Sequence, residues 1–91
     1  MKRIEIIANC AVEENIMDAL RAEDVAKFYT KCPIVYGEGS SGKRMGDAIW
    51  PEENFVLIVW CEEDEALKIE QAVKQVKARF PNEGIKIFGL L

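Results

Sequence analysis

Histidine is absent from this 91-residue chain, and cysteine is scarce, with three residues at Cys10, Cys32 and Cys61. The commonest general base and the commonest zinc ligand are therefore both missing. An odd number of widely spaced cysteines without a CxxC pair also argues against a disulfide scaffold. We assign no catalytic residues and no metal ligands, and we expect a protein that is not an enzyme.

Long apolar runs are also absent, since none reaches the roughly 18 residues that a membrane-spanning helix needs. The first ten residues are interrupted by Glu5 and Asn9 before the apolar core of a signal sequence could form. We therefore expect a cytoplasmic protein without direct membrane insertion. The formal net charge of −4 disfavours nucleic acid as a partner. The length fits a single domain over residues 1–91.

Two stretches have the apolar spacing of amphipathic helices. In the first, one face would carry Val12, Ile16, Ala19 and Leu20. The second begins in the acidic run 62–65, ends at Pro81, and would bury Ala66, Ile69, Val73, Val76 and Phe80. Acidic residues at each start and basic residues near each end suit the helix dipole.

Four stretches predict strands. Residues 2–8 and the unbroken apolar run 55–60 are expected in or near the centre of the sheet, whereas 85–90 forms a short final strand. Within residues 26–36, Pro33 removes one backbone donor, so this strand is expected at an edge.

The order strand, helix, strand, strand, helix, strand predicts an α+β fold, a ferredoxin-like βαββαβ sandwich with a four-stranded antiparallel sheet and two helices on one face. The other face of the sheet would have no cover. Because the third strand is apolar throughout, either Val56, Ile58 and Trp60 or Phe55, Leu57 and Val59 would point outward. Such a patch favours self-association, and we expect a homo-oligomer.

One long loop, residues 37–54, contains four glycines and the segment GEGSSGK. The segment partly matches nucleotide-binding motifs, but a phosphate loop needs a helix directly after it, and here Gly46 and Pro51 oppose one. An anion-receptive loop is one interpretation that remains, and a polar hairpin loop without a ligand is the other. The ligand- or partner-binding residues that we predict here are Gly37, Glu38, Gly39, Ser40, Ser41, Gly42, Lys43 and Arg44.

Three segments resemble the PII-like signalling proteins: KRIEIIA with the helix that follows it, the strand ending in IVYGEG, and FVLIVWCEEDEALKIEQAVKQV. The resemblance implies a ferredoxin-like homotrimer. It also implies that the long loop contacts partners and that small effectors, often adenine nucleotides, bind in clefts between subunits near the loop base. By matching position, Gly37, Glu38 and Gly39 would form that base.

The chain also departs from the nitrogen-regulatory members. Residues 81–84, PNEG, replace their glycine-rich phosphate-binding segment, and Tyr36 precedes the loop instead of lying at its tip. We therefore expect no resident cofactor, with an adenine nucleotide as the alternative, and no uridylylation. The likeness is rather to a short, divergent branch of the superfamily, which implies a regulatory role linked to an efflux transporter of the resistance-nodulation-division type. As partner we expect a small anionic effector or a protein target.

Two rival interpretations stay open. Cys10 and Cys61 end two strands expected to be neighbours, which would bring their thiols together near Glu62 or Glu63. The chain would then be a thiol-based metal-binding module with a CutA-like fold, linked to metal tolerance. The third class, a ferredoxin-like enzyme, is supported by no residue pattern.

Overall fold

The computed structural model describes residues 1–37 and 53–90. Its elements follow the order β1 (Lys2–Asn9), a 3₁₀ turn (Cys10–Val12), α1 (Glu13–Ala22), β2 (Thr30–Tyr36), β3 (Glu53–Cys61), α2 (Glu63–Arg79) and β4 (Ile85–Leu90). This is the βαββαβ order expected from the sequence, and the α+β fold class is confirmed.

The four strands form one antiparallel sheet in the order β2-β3-β1-β4. The two most apolar strands, β3 and β1, therefore occupy its centre, and the strand with Pro33 lies at an edge, as predicted. The pairing of β2 with β3 is irregular between Cys32 and Val35. This is the place where proline cannot donate to the ladder.

Successive side chains of each strand point to opposite faces of the sheet. The inner face of β3 carries Phe55, Leu57 and Val59, each at most 1% exposed. They pack with the buried side chains of α1 and α2, among them Ile16, Leu20, Ile69 and Val76. Burial of a large apolar side chain contributes about 1.5–3 kcal/mol, so this layer dominates the stability of the fold.

The outer set of β3 is Val56, Ile58 and Trp60, which settles the choice that the sequence left open. We call the side of the sheet that carries these residues the open face. Charged residues share it, because Arg3 pairs in register with Trp60 and Glu5 with Ile58. On β4, Phe88 lies opposite Glu5 and Lys86 lies opposite Ile7. The open face therefore carries both charged and apolar residues. The purely apolar patch that the sequence of β3 predicts is wrong.

The connection between α1 and β2 has the least regular backbone in the described part of the chain. Asp24 and Ala26 have positive φ angles of 56° and 55°. β2 begins at Thr30 instead of at residue 26, because Val25 and Ala26 turn inward and are buried. The strand is therefore shorter than the residue types of 26–36 indicate.

Candidate functional site

The long loop leaves the sheet between its edge strand and its neighbour. Tyr36 on β2 pairs with Glu53 on β3, and the exposed Gly37 follows β2 directly. Gly37 is the one predicted site residue that the structure describes. The other predicted site residues lie outside the described ranges and stay a prediction: Glu38, Gly39, Ser40, Ser41, Gly42, Lys43 and Arg44.

The end of β1 joins the loop base at the same end of the sheet. Asn9, the last residue of β1, lies in register with Asn54 on β3. Its backbone N–H donates to the carbonyl oxygen of Gly84 at 2.9 Å, which fixes the turn before β4. The loop base and the turn of residues 81–84 therefore lie on either side of β1, at one end of the domain.

Asn9 also starts the helical segment that leaves this end. Its side-chain oxygen accepts a hydrogen bond from the Ala11 N–H at 2.8 Å. Asparagine is among the preferred N-cap residues because this bond satisfies a free amide of the first turn. The capped turn carries Cys10 toward β2, where its Sγ lies 3.6 Å from the carbonyl oxygen of Pro33.

Cys10 lies in an acidic environment. Burial raises the pKa of its thiol, and the carboxylates of Glu13 and Glu53 raise that pKa further, while Lys31 acts in the opposite direction. Because the thiolate is the nucleophile and the metal-binding form, a raised pKa lowers the fraction of Cys10 that is in the reactive form.

Lys31 ties the edge strand to the first helix. Its Nζ lies 2.7 Å from Oε2 of Glu13, and both side chains are partly shielded from solvent. The hydrogen bond to Glu13, with the carboxylate charge, raises the pKa of Lys31, because both favour the ammonium form. β2, which leads into the loop, is thus held to α1 by a charge-assisted contact.

The expected meeting of Cys10 and Cys61 is wrong. β1 and β3 are antiparallel, and Cys61 pairs with Lys2 at the opposite end of β1 from Cys10. An eight-residue strand separates the two thiols by about 20–25 Å. In the described residues, no group of three or more histidine, cysteine or acidic side chains is arranged to hold a metal ion.

A groove that the sequence did not indicate lies at the other end of β2. Its volume is about 300 Å³, and it runs between the end of α1 and residues 24–29. Met17, Leu20 and Val25 form its apolar wall, and Arg21, Asp24 and Lys27 its polar rim. Two of the residues that line the groove, Asp24 and Ala26, have positive φ angles, and the sequence does not show that an alanine adopts this conformation.

Comparison with known proteins assigns the family. The family model described as nitrogen regulatory protein P-II matches residues 1–90. The chain therefore belongs to the nitrogen regulatory protein P-II family, and the resemblance inferred from the sequence is confirmed. Comparison with curated proteins gives no match.

Solved structures share the fold at low identity. CPII, a nitrogen regulatory PII-like protein from Thiomonas intermedia solved with ADP, AMP and bicarbonate, matches with a TM-score of 0.73 and 23% identity over 98% of this chain and 82% of that one. CPII with ADP and bicarbonate gives 0.72 and 24% identity, over 98% of this chain and 82% of that one. A candidate PII-like signalling protein from Thermus thermophilus gives 0.67 and 24% identity, over 98% and 83%.

The helices of the described residues give no membrane-spanning candidate, since none combines the necessary length with sufficient apolar character.

Proposed function

We propose that this protein is a non-enzymatic PII-like regulator, a single domain over residues 1–91 that binds a small effector or a partner protein through the loop of residues 37–50 and the clefts between copies. The observation that carries the proposal is the P-II family match over residues 1–90. The geometry of the loop base supports it, because the loop starts at Gly37 at the same end of the sheet as the end of β1 and the turn of residues 81–84.

The effector that we propose is a small anion, with an adenine nucleotide or bicarbonate as the specific candidates. CPII was solved with ADP, AMP and bicarbonate, and it shares the fold of this chain. Lys43 and Arg44 supply positive charge beside several glycines, whose backbone amides can approach an anion closely. The short turn of residues 81–84 has one glycine and no basic side chain to bind a triphosphate, so we favour AMP and ADP over ATP.

Regulation would follow from differential affinity for two arrangements of the loop. An effector that binds one arrangement more tightly shifts the population toward it and changes which target surface the loop presents. The target that we propose is a cytoplasmic surface of a membrane transporter, and the sequence resemblance points to the efflux class. The protein itself would act from the cytoplasm.

Self-association is part of the proposal, because a cleft between subunits needs at least two copies. We propose a homotrimer. The open face supports this, since Trp60 is 58% exposed and Phe88 is 47% exposed in one copy. Exposed aromatic side chains grouped on one face are typical of an interaction surface.

The rival metal-binding function has lost its main support. It required Cys10 and Cys61 to share a site, and the antiparallel pairing of β1 with β3 places them at opposite ends of the sheet.

A thermal-shift screen tests the proposal. AMP, ADP, ATP, bicarbonate and divalent metals are added singly to the full chain. A ligand at 100 times its dissociation constant adds about 2.7 kcal/mol to the free energy of unfolding. We expect a rise in melting temperature with AMP, ADP or bicarbonate.

Two double variants locate the binding site. Lys43→Gln with Arg44→Gln removes the charge of the loop and should abolish the shift. Lys68→Gln with Lys77→Gln removes the same charge from exposed positions of α2 and should leave the shift intact. Equal shifts in both double variants would exclude the loop as the anion site, and silence with every anion would refute the small-anion effector.

A further inference from the structure

The negative charge of the protein is concentrated in two segments, residues 18–29 and 62–65. The chain has 16 acidic and 12 basic side chains, and these segments hold seven of the acidic ones but two of the basic ones. The remaining residues have nine acidic and ten basic side chains, so they carry no negative excess. The acidic side chains of the two segments are Asp18, Glu23, Asp24, Glu62, Glu63, Asp64 and Glu65.

The two segments lie together at one end of the domain, which we call the acidic end. The Ala26 N–H donates a hydrogen bond to Oε2 of Glu65 at 3.0 Å, which joins the connection after α1 to the first turn of α2. Cys61, directly before this segment, pairs with Lys2 at the start of β1, whereas the loop base lies at the end of β1. The acidic end is therefore opposite to the loop.

Ion pairs within the domain neutralise the two cations of the acidic end. Arg21 lies 3.2 Å from Asp18, and Lys27 lies 3.1 Å from Asp24. In the part of the chain that the structure describes, the exposed Glu23 and Glu63 have no ion-pair partner. The acidic end thus keeps a negative charge that the domain itself does not balance.

The groove described above opens at this end. Its volume of about 300 Å³ is at the lower limit for small-molecule sites, so it suits a single side chain better than a cofactor. Met17, Leu20 and Val25 form its apolar wall, and Tyr29, which also lines it, is 46% exposed. An apolar groove beside unbalanced carboxylates is complementary to a peptide segment that carries an apolar side chain between lysines or arginines. The same charge disfavours nucleic acid and anionic membranes.

We propose that the acidic end is a docking surface for a basic segment of a partner protein. One apolar side chain of that segment enters the groove, and the flanking cations contact Glu23 and Glu63. This inference goes beyond the proposed function, because it gives the protein a second binding surface at the end opposite to the loop. A partner bound there leaves the loop accessible to its own ligand.

The test uses a short synthetic peptide of lysines and arginines around one central leucine, labelled with fluorescein. Fluorescence anisotropy with the full chain measures its dissociation constant. We expect binding that weakens as salt concentration rises, because exposed charges are screened. A second peptide with serine in place of the leucine should bind roughly tenfold more weakly or worse, since it leaves the groove unfilled. Equal binding of the two peptides would overturn the role of the groove.

Two double variants separate this surface from general charge attraction. Glu23→Gln with Glu63→Gln removes two charges at the acidic end and should weaken peptide binding by about fivefold. Glu14→Gln with Glu53→Gln removes two charges at exposed positions of the opposite end and should leave binding unchanged. Circular dichroism confirms the fold of each variant. Equal losses in both would contradict a specific surface, and so would equally effective competition by spermidine, a cation without an apolar side chain.

A further measurement uses the unmodified protein, so that it does not depend on how a variant folds. In NMR titrations, the leucine peptide should shift the backbone amides of Met17, Leu20 and Val25 more than those of Gly37 and Asn54 at the loop base. Shifts confined to the loop base, or no binding at all, would overturn the inference. Neither result affects the anion screen, which tests the loop at the other end of the domain.

Discussion

Glu65 and Ala26 lie far apart in sequence but are joined directly: the Ala26 N–H donates to Oε2 of Glu65 at 3.0 Å. Glu65 lies in the first turn of α2, whereas Ala26 belongs to the connection between α1 and β2. Ala26 is 5% exposed and has a positive φ angle, so its amide lacks easy access to water. The carboxylate thus satisfies a buried donor in a strained segment.

Glu65→Ala should destabilise the fold by about 1–3 kcal/mol, because it leaves the amide of Ala26 buried without an acceptor. Glu65→Gln keeps an oxygen acceptor of the same reach and should cost less than half as much. Chemical denaturation of both variants measures the difference in the free energy of unfolding. If both variants lost the same unfolding free energy, Glu65 would stabilise the fold through its charge or its position at the start of α2, and not through the hydrogen bond to Ala26.

The positive φ angle at Asp24 predicts a stabilising glycine substitution. Asp24→Gly should raise the free energy of unfolding by about 0.5 kcal/mol, since relief of left-handed backbone strain exceeds the loss of an exposed ion pair to Lys27. Glu23→Gly, at the preceding residue with φ of −90°, relieves nothing and should destabilise by a similar amount. If thermal unfolding showed that both substitutions change the stability in the same direction, Asp24 would not be strained.

The open face should affect assembly more than folding. Trp60 is 58% exposed and Leu67 on α2 is 56% exposed, so replacing either with alanine should change the stability of a single copy by less than about 1 kcal/mol. Trp60→Ala should nevertheless weaken self-association by tenfold or more, and Leu67→Ala should not. Sedimentation over a range of concentrations separates the two outcomes. If the two variants self-associated equally strongly, the open face would not be part of the interface.

Thiol alkylation should distinguish the three cysteines. Burial, followed by the nearby carboxylates of Glu65, Glu62 and Asp64, raises the pKa of Cys61, and burial with Glu13 and Glu53 raises that of Cys10. A raised pKa lowers the thiolate fraction, so at pH 8 both should react with iodoacetamide more slowly than the exposed Cys32. Peptide mass spectrometry over a pH series measures each rate.

Glu53→Gln removes one carboxylate that raises the Cys10 pKa. The alkylation of Cys10 should then begin at lower pH, while that of Cys61 is unchanged. The raised thiol pKa of Cys10 also makes the stability of the fold depend on pH. Because this pKa is higher in the folded state, its contribution to stability is fully present below the unfolded pKa and is lost as pH rises through the folded pKa. An unshifted pH profile for Cys10 would show that Glu53 has no electrostatic influence on it.

Much of the fold could be predicted because local signals agreed with one another. The apolar spacing of α1 and α2, the proline in β2 and the apolar run in β3 each indicated the correct element. The outward set of β3 could not be chosen, since both parities of the run are apolar. The neighbouring strand β1 determines the choice, because its charged residues Arg3 and Glu5 cannot point into the core. Trp60 and Ile58 pair with these two residues and therefore point to the same outer face.

Site prediction was weaker because it depends on what the topology brings together. The hypothesis that Cys10 and Cys61 share a site requires the C-terminal ends of neighbouring strands to coincide, which holds for parallel strands and fails for antiparallel ones. The contact of Cys10 with Pro33 and the bond of Ala26 with Glu65 join distant parts of the chain. Neither produces a periodic pattern that a sequence could show.

The pairing of Tyr36 with Glu53 has a consequence for how this family can diversify. Because adjacent strands lie about 5 Å apart, the two ends of the loop are held together whatever its length. Doubling the length of such a closed segment costs only about 0.6 kcal/mol in chain entropy. Insertions and deletions there leave the packed layers unaffected, so new specificities can arise at this position while the rest of the domain stays the same.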